Sequence, residues 1–438
     1  MPRTPIVLVA GVRTPWARAG GAFAREDAGH LGAFVARELI ARTGVDPALV
    51  DEVIAGCVGP SHDQANVGRV IGLRAGVPRG VPARTVARNC ASGMEAVASA
   101  AEAIESGRAS LVLTVGVEVM SRYPLIMGER LTRFFDRLSR AKTPLARLAT
   151  IASFRPGMLK PRIALMEGLT DPISGLIMGK TAEILAREYG ISREEADRFA
   201  LESHRRAKAA RDSGRNAKEI LPVLPLGSRG SHSGPAKALE HDDSIRDDQT
   251  LDALARLRPY FEKPDGRVTV GNSCGITDGA CALLVASEER ARALGLAPLA
   301  RIASFAWSGC DPARMGLGPV YSTAEALADA GLALADMETI EINEAFAAQV
   351  LACAKAFASG AFAQTELHRG QALGELDLAR TNRNGGAIAL GHPVGATGSR
   401  LLLTLATELA LRKQRYGLAT LCIGGGQGGA MILERMSA

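Results

Sequence analysis

Asn384-Gly385-Gly386-Ala387-Ile388-Ala389-Leu390-Gly391-His392-Pro393 decides the reading of this chain. It sets one histidine among glycines and small residues, then runs on through Gly395 and Gly398 into an apolar helical pattern. A loop so constrained is unusual for a casual surface histidine. Downstream, Leu418-Ala419-Thr420-Leu421 reads as a buried strand leading to Cys422-Ile423-Gly424-Gly425-Gly426. Far upstream, Asn89-Cys90-Ala91-Ser92-Gly93 sits where a strand-like run, Thr85 to Arg88, gives way to a helix starting near Ser92. These segments supply two thiols and an imidazole. Surrounding glycines let backbone N–H groups approach a developing oxyanion. At a helix N-terminus, Cys90 is expected to feel the positive end of the dipole, which lowers a thiol pKa.

The same alternation of strand and helix extends outward. Ile6 to Ala10, Val53 to Cys57 and Leu111 to Gly116 read as buried strands, and 29–43 and 92–106 as helices. Strand texture is expected to resume at Val268-Thr269-Val270. A faint internal repeat supports two α/β halves of similar plan, with an insertion in the first. Glu38-Leu39-Ile40-Ala41-Arg42-Thr43-Gly44 matches Glu325-Ala326-Leu327-Ala328-Asp329-Ala330-Gly331. Ser92-Gly93 and Thr397-Gly398 each open a helix that ends before a strand.

The 438 residues exceed one small core, and two or three packed units follow. A formal charge of +6 without an arginine face bearing aromatics argues against nucleic acid and fits a polyanionic small substrate. The seven cysteines form no CxxC pair, so neither a zinc site nor a disulfide framework is indicated, and reduced thiols in the cytoplasm are expected. No leader is expected ahead of the first strand, no apolar run reaches membrane-span length, and no peroxisomal address is expected from Arg435-Met436-Ser437-Ala438. Residues 122–162 stand apart, with ten Arg and Lys against two acids, interleaved with Leu131, Phe134, Phe135 and Leu138. A polar stretch follows from about 212 to 250.

The segments Asn89–Gly93, Asn343-Glu344-Ala345-Phe346-Ala347, Gly385–Gly398 and Cys422–Gly428, in this order and spacing, resemble the four signature blocks of the thiolases. Gly168-Leu169-Thr170-Asp171 and Met178-Gly179-Lys180-Thr181-Ala182-Glu183 resemble that family's loop domain. The resemblance implies an α/β fold of two similar βαβαβαββ halves in a layered α-β-α-β-α core. The halves would be 1–121 with 248–288, and 289–438; 122–247 would be an inserted loop domain covering the substrate. It implies an acyltransferase that cleaves 3-oxoacyl-CoA with CoA, reversibly, through an acyl-cysteine. Cys90 would be the nucleophile, His392 its base, and Cys422 the acid/base at the α-carbon. Asn343 would hold a water beside His392, and the amides of Cys90 and Gly424 would bind the oxyanion. Arg246, Ser273, Cys274, Met178 and Phe346 would contact CoA or substrate. Cys274 stands where many members have serine, and Ile177 where some biosynthetic members have histidine. CoA and acetyl-CoA would be substrates, with no permanent cofactor or metal. A homodimer or homotetramer is implied, and 122–162 resembles an extension that meets a β-oxidation multienzyme partner or a membrane surface. Three competing readings are an acetoacetyl-CoA-specific biosynthetic thiolase, a decarboxylating condensing enzyme and a non-catalytic scaffold. Cys422 speaks against the second of these. Retention of Cys90, His392 and Cys422 speaks against the third.

Overall fold

In the computed structural model, which describes residues 4–226 and 237–436, the principal strands are β1 (Ile6–Arg13), β2 (Glu52–Gly56), β3 (Ala83–Val86), β4 (Leu111–Val119), β5 (Thr277–Ser287), β6 (Ala300–Gly309), β7 (Thr339–Ile342), β8 (Tyr416–Ile423) and β9 (Gln427–Arg435). The larger helices are α1 (Ala28–Thr43), α2 (Ser92–Glu105), α3 (Glu129–Arg140), α4 (Pro144–Ala152), α5 (Met178–Glu188), α6 (Arg193–Asp212), α7 (Gly318–Ala330), α8 (Ala347–Phe357) and α9 (Val394–Arg412).

The strands run in the order β7-β8-β9-β6-β1-β5-β4-β2-β3. The first half is ordered β3-β2-β4-β5-β1 and the second β7-β8-β9-β6, the same plan twice. A parallel bridge from Ile340 to Thr381 stands where β3 would recur. The halves join through two residue pairs of β1 and β6, Val7 with Arg301 and Leu8 with Ala300. The internal repeat thus has a structural counterpart. Its matched glycines, Gly44 and Gly331, close α1 and α7 at φ 68° and 66°, a left-handed turn that residues with a Cβ adopt at a cost.

Helices α2 and α9 pack on each other, α2 on strands of the first half and α9 on strands of both. They are buried nearly all round, as helices enclosed by the core must be. One apolar cluster joins them to the inner sheet faces through Met94, Val97, Leu401 and Leu405. Separate clusters fill the outer face of each half. Strands β4 and β5 are buried along their whole length, so they read as continuous apolar runs rather than alternating ones.

One expectation changes here. Val268-Thr269-Val270 is irregular, its turn held by Asn272 Oδ1 accepting from the Thr269 amide at 2.8 Å, and regular strand begins only at Thr277. The glycines after Cys422 form a hairpin turn into β9. Of the polar stretch 212–250, residues 227–236 lie outside the described residues, as do Ser437 and Ala438. No described helix is long and apolar enough to cross a membrane.

Candidate active site

The inner helices bring the sequence-distant segments together. Cys90 follows β3 and precedes α2, in a turn that sets Asn89 at φ 42°. Ser92 Oγ holds that turn, accepting from the Arg88 amide at 2.9 Å and donating to the Asn89 carbonyl at 2.7 Å. Asn89 Nδ2 reaches across to donate to the Gly424 carbonyl at 2.7 Å. This bond ties the Cys90 loop to the loop after Cys422.

The expected acidification of Cys90 is not the net result. Burial pushes its thiol above the ordinary range, while the Gly424 amide and its own amide pull the other way by hydrogen bonding to sulfur. Desolvation of the thiolate outweighs these two hydrogen bonds. The thiol is therefore protonated at neutral pH and needs a base to become a nucleophile.

His392 is the base expected from the sequence, and its surroundings fix its state. Gly391, at φ 99°, could not carry a side chain, because a Cβ there would lie 2.3 Å from Thr277 Cγ2. The His392 amide donates to the Gly275 carbonyl at 3.1 Å. Its Nδ1 lies 2.6 Å from Thr397 Oγ1, and that hydroxyl donates to the Pro393 carbonyl at 3.0 Å. With its proton committed to Pro393, Thr397 can only accept, so Nδ1 carries the ring proton and Nε2 keeps the lone pair. Burial, aided by the nearby Arg400 charge, lowers the His392 pKa to about 3. The ring is thus a neutral acceptor across the physiological range.

Asn343 lies 3.5 Å from His392 Nε2 through Nδ2, and its buried Oδ1 has no partner among the described residues. Its amide donates to the Thr420 carbonyl at 3.0 Å, so it is anchored to β8. It does not cap α8, whose N-cap is Phe346. Cys422, near the end of β8, is buried. Burial, with the neighbouring sulfurs of Cys90, Cys353 and Cys274, pushes its thiol well up. Cys274 donates its amide to the Ala345 carbonyl at 3.0 Å, and burial beside Cys90 pushes its thiol up to about 12.

A cavity of about 250 Å³ opens beside Cys90. Gly424, Met178, Tyr123, Leu165, Leu169 and Ile173 are among its walls. Of the other expected contacts, Ser273 and Phe346 pair with each other behind this wall. The Ser273 hydroxyl donates to the Thr269 carbonyl at 2.6 Å, and Phe346 stands edge-on to Phe261. Arg246 is exposed and does not line the cavity; its amide donates to His204 Nδ1 at 3.2 Å.

Sequence reasoning missed the carboxylates that hold these loops. Glu118 is fully buried, accepting from the amides of Val58 at 2.9 Å, Gly59 at 3.0 Å and Gly395 at 3.0 Å. Glu344 accepts from Ser203 Oγ at 2.6 Å, Asn382 Nδ2 at 2.8 Å and the Ile388 amide at 3.2 Å. Burial raises both pKa values against these donors. A lone acid in the apolar run Leu111–Val119 was the available signal for Glu118. Nothing local distinguished Thr397.

Comparison with known proteins agrees over the whole chain. The thiolase N-terminal domain family matches residues 6–289 and the thiolase C-terminal domain family residues 296–435. A 3-ketoacyl-CoA thiolase of Pectobacterium atrosepticum is 40% identical over 432 residues, covering 98% of this chain and 96% of that protein. An acetyl-CoA acetyltransferase of Pseudomonas aeruginosa is 43% identical over 431 residues, covering 98% and 99%. Human mitochondrial 3-ketoacyl-CoA thiolase, solved in complex with CoA, superposes with a TM-score of 0.83 at 37% identity, covering 99% of this chain and 98% of that one. The chain is accordingly an acyltransferase. It belongs to the thiolase family.

Proposed function

We propose that this chain is a 3-oxoacyl-CoA thiolase that cleaves substrates longer than acetoacetyl-CoA. The cavity beside Cys90 carries this reading, because its apolar walls of Leu165, Leu169 and Ile173 leave room for more than an acetyl group. Ile177, apolar at the N-cap of α5, is in keeping with it. His392 Nε2 takes the proton of Cys90, and the thiolate attacks the 3-keto carbon. The amides of Cys90 and Gly424, already directed at sulfur, bind the resulting oxyanion. As the C2–C3 bond breaks, Cys422 protonates the departing acetyl-CoA enolate, whose thioester oxygen is held by His392 and a water on Asn343. A second CoA thiol then releases the acyl group from Cys90. Thiolysis measured with acetoacetyl-CoA and with medium- and long-chain 3-oxoacyl-CoA tests the reading. Cleavage that persists beyond acetoacetyl-CoA is expected; activity confined to acetoacetyl-CoA would mean the short-chain biosynthetic enzyme instead.

A second observation favours a surface-bound setting for this activity. Helix α4 buries none of its residues, and Leu145 and Leu148 are 78% and 64% exposed. Leu125, Phe135, Ile151 and Leu159 are exposed nearby in sequence. The two acids of 122–162 are each paired with an arginine, Glu129 with Arg133 and Asp136 with Arg140, and Arg162 pairs with Glu167 just beyond the stretch, so positive charge remains in excess. Exposed apolar side chains with a positive surround suit an anionic lipid surface, where each basic residue contributes about 1 kcal/mol. The full-length protein should co-sediment with phosphatidylglycerol-containing vesicles, less so at high salt, and far less after Leu145→Asp with Leu148→Asp. Equal recovery without vesicles, or binding indifferent to that pair, would leave a protein partner as the occupant.

A further inference from the structure

The cavity beside Cys90 has two kinds of wall. Leu165, Leu169 and Ile173 come from the chain that crosses over it, and Ile173 is 83% exposed. The buried Asp171 carboxylate anchors the backbone of that segment, accepting from the Ile173 and Ser174 amides at 3.0 and 2.7 Å, while the Ile173 side chain is left exposed. Tyr123 is different. It follows directly on the turn after β4, its amide donating to the Met120 carbonyl at 3.3 Å. Its hydroxyl donates to Glu118 Oε1 at 3.1 Å. Glu118 is itself fixed by the Val58, Gly59 and Gly395 amides. The ring also lies flush against Gly59, where a Cβ would fall 2.4 Å from Tyr123 Cε1 and 2.7 Å from its hydroxyl oxygen. Gly59 thus leaves the space that the ring fills. A half-buried aromatic gripped at both its tip and its edge is a rigid wall, whereas the exposed Ile173 side chain has no such grip.

We propose that Tyr123 is the residue that limits acyl length in this enzyme, and that Glu118 and Gly59 are positioning residues that hold its ring in the acyl path. This rests on the thiolase reading above. A short acyl group on Cys90 fits in front of the ring, and a longer one meets a side chain that cannot swing aside without leaving Glu118. The crossing segment accommodates width; Tyr123 determines depth.

The test compares kcat/KM for acetoacetyl-CoA and for medium- and long-chain 3-oxoacyl-CoA in the wild type and in Tyr123→Val, Tyr123→Phe and Gly59→Ala. Tyr123→Val is expected to raise the long-to-short ratio by roughly tenfold or more, since each methylene accepted by an apolar pocket is worth about tenfold or more. Tyr123→Phe keeps the ring and loses only the bond to Glu118, so its ratio should rise less. Gly59→Ala forces the ring from its place and should also change the ratio. A purely structural role for Tyr123 predicts an equal loss on every substrate with a lower melting temperature. That uniform loss, or a wild-type ratio in both Tyr123 variants with acetoacetyl-CoA still cleaved, would overturn the proposal. A wild-type enzyme that cleaves no 3-oxoacyl-CoA at all would instead overturn the thiolase reading on which it rests.

Discussion

Cys90→Ala is expected to abolish acyl transfer, with kcat falling by roughly a million-fold, the scale seen when a covalent enzyme loses its nucleophile. The fold should survive, because the loop around Cys90 is held by Ser92, Asn89 and Gly424 rather than by the thiol. Burial keeps this thiol protonated at rest, so in the proposed mechanism its reactivity depends on His392 Nε2 removing the proton as attack proceeds. The lone pair is available because Thr397 fixes the ring proton on Nδ1 and burial keeps the imidazole neutral. Intact-mass measurement after incubation with acetyl-CoA checks the prediction directly. The wild type should gain one acetyl group and the variant none. Acetylation that persists in Cys90→Ala would place the nucleophile elsewhere.

Cys422→Ala should separate the two halves of the reaction. The variant is expected to acylate Cys90 from acetyl-CoA yet to lose condensation and thiolysis by about 10² to 10⁴, the range for removing a positioned acid–base group. The physical reason lies in how far burial and the neighbouring sulfurs push the Cys422 thiol up. A thiolate so costly to form is a strong base, and only a strong base takes a proton from a carbon next to a thioester. In the cleaving direction the same group is a protonated acid at rest, ready to quench the enolate. Solvent deuterium exchange into acetyl-CoA reads this step by itself. Rapid exchange in Cys422→Ala would remove the assignment, whereas slow exchange with normal Cys90 acetylation would support it.

Much of the architecture was legible in the residues. The Gly44 and Gly331 repeat was visible because each helix must end in a left-handed turn, and glycine there leaves a mark on the sequence. Strand β4 was visible because burial on both faces makes it apolar throughout. Val268–Val270 misled for the converse reason: β-branched residues fit a strand, but Asn272 draws the backbone into a turn through a bond that composition does not show.

The candidate site divides along the same line. By itself the sequence singled out the groups proposed to carry chemistry: thiols at 90 and 422, an imidazole at 392 and an amide at 343, each marked by small residues that let the backbone close in. Only the tertiary structure decided their states. Cys90 sits at a helix N-terminus, which by local rules acidifies it, yet burial raises it. The tautomer of His392 depends on where the Thr397 proton goes, and that depends on the first turn of α9. Glu118 and Tyr123 meet a glycine more than fifty residues away in sequence, at Gly59. Residue types are local facts, whereas proton positions and cavity depth are set by desolvation and by contacts between segments that only folding brings together.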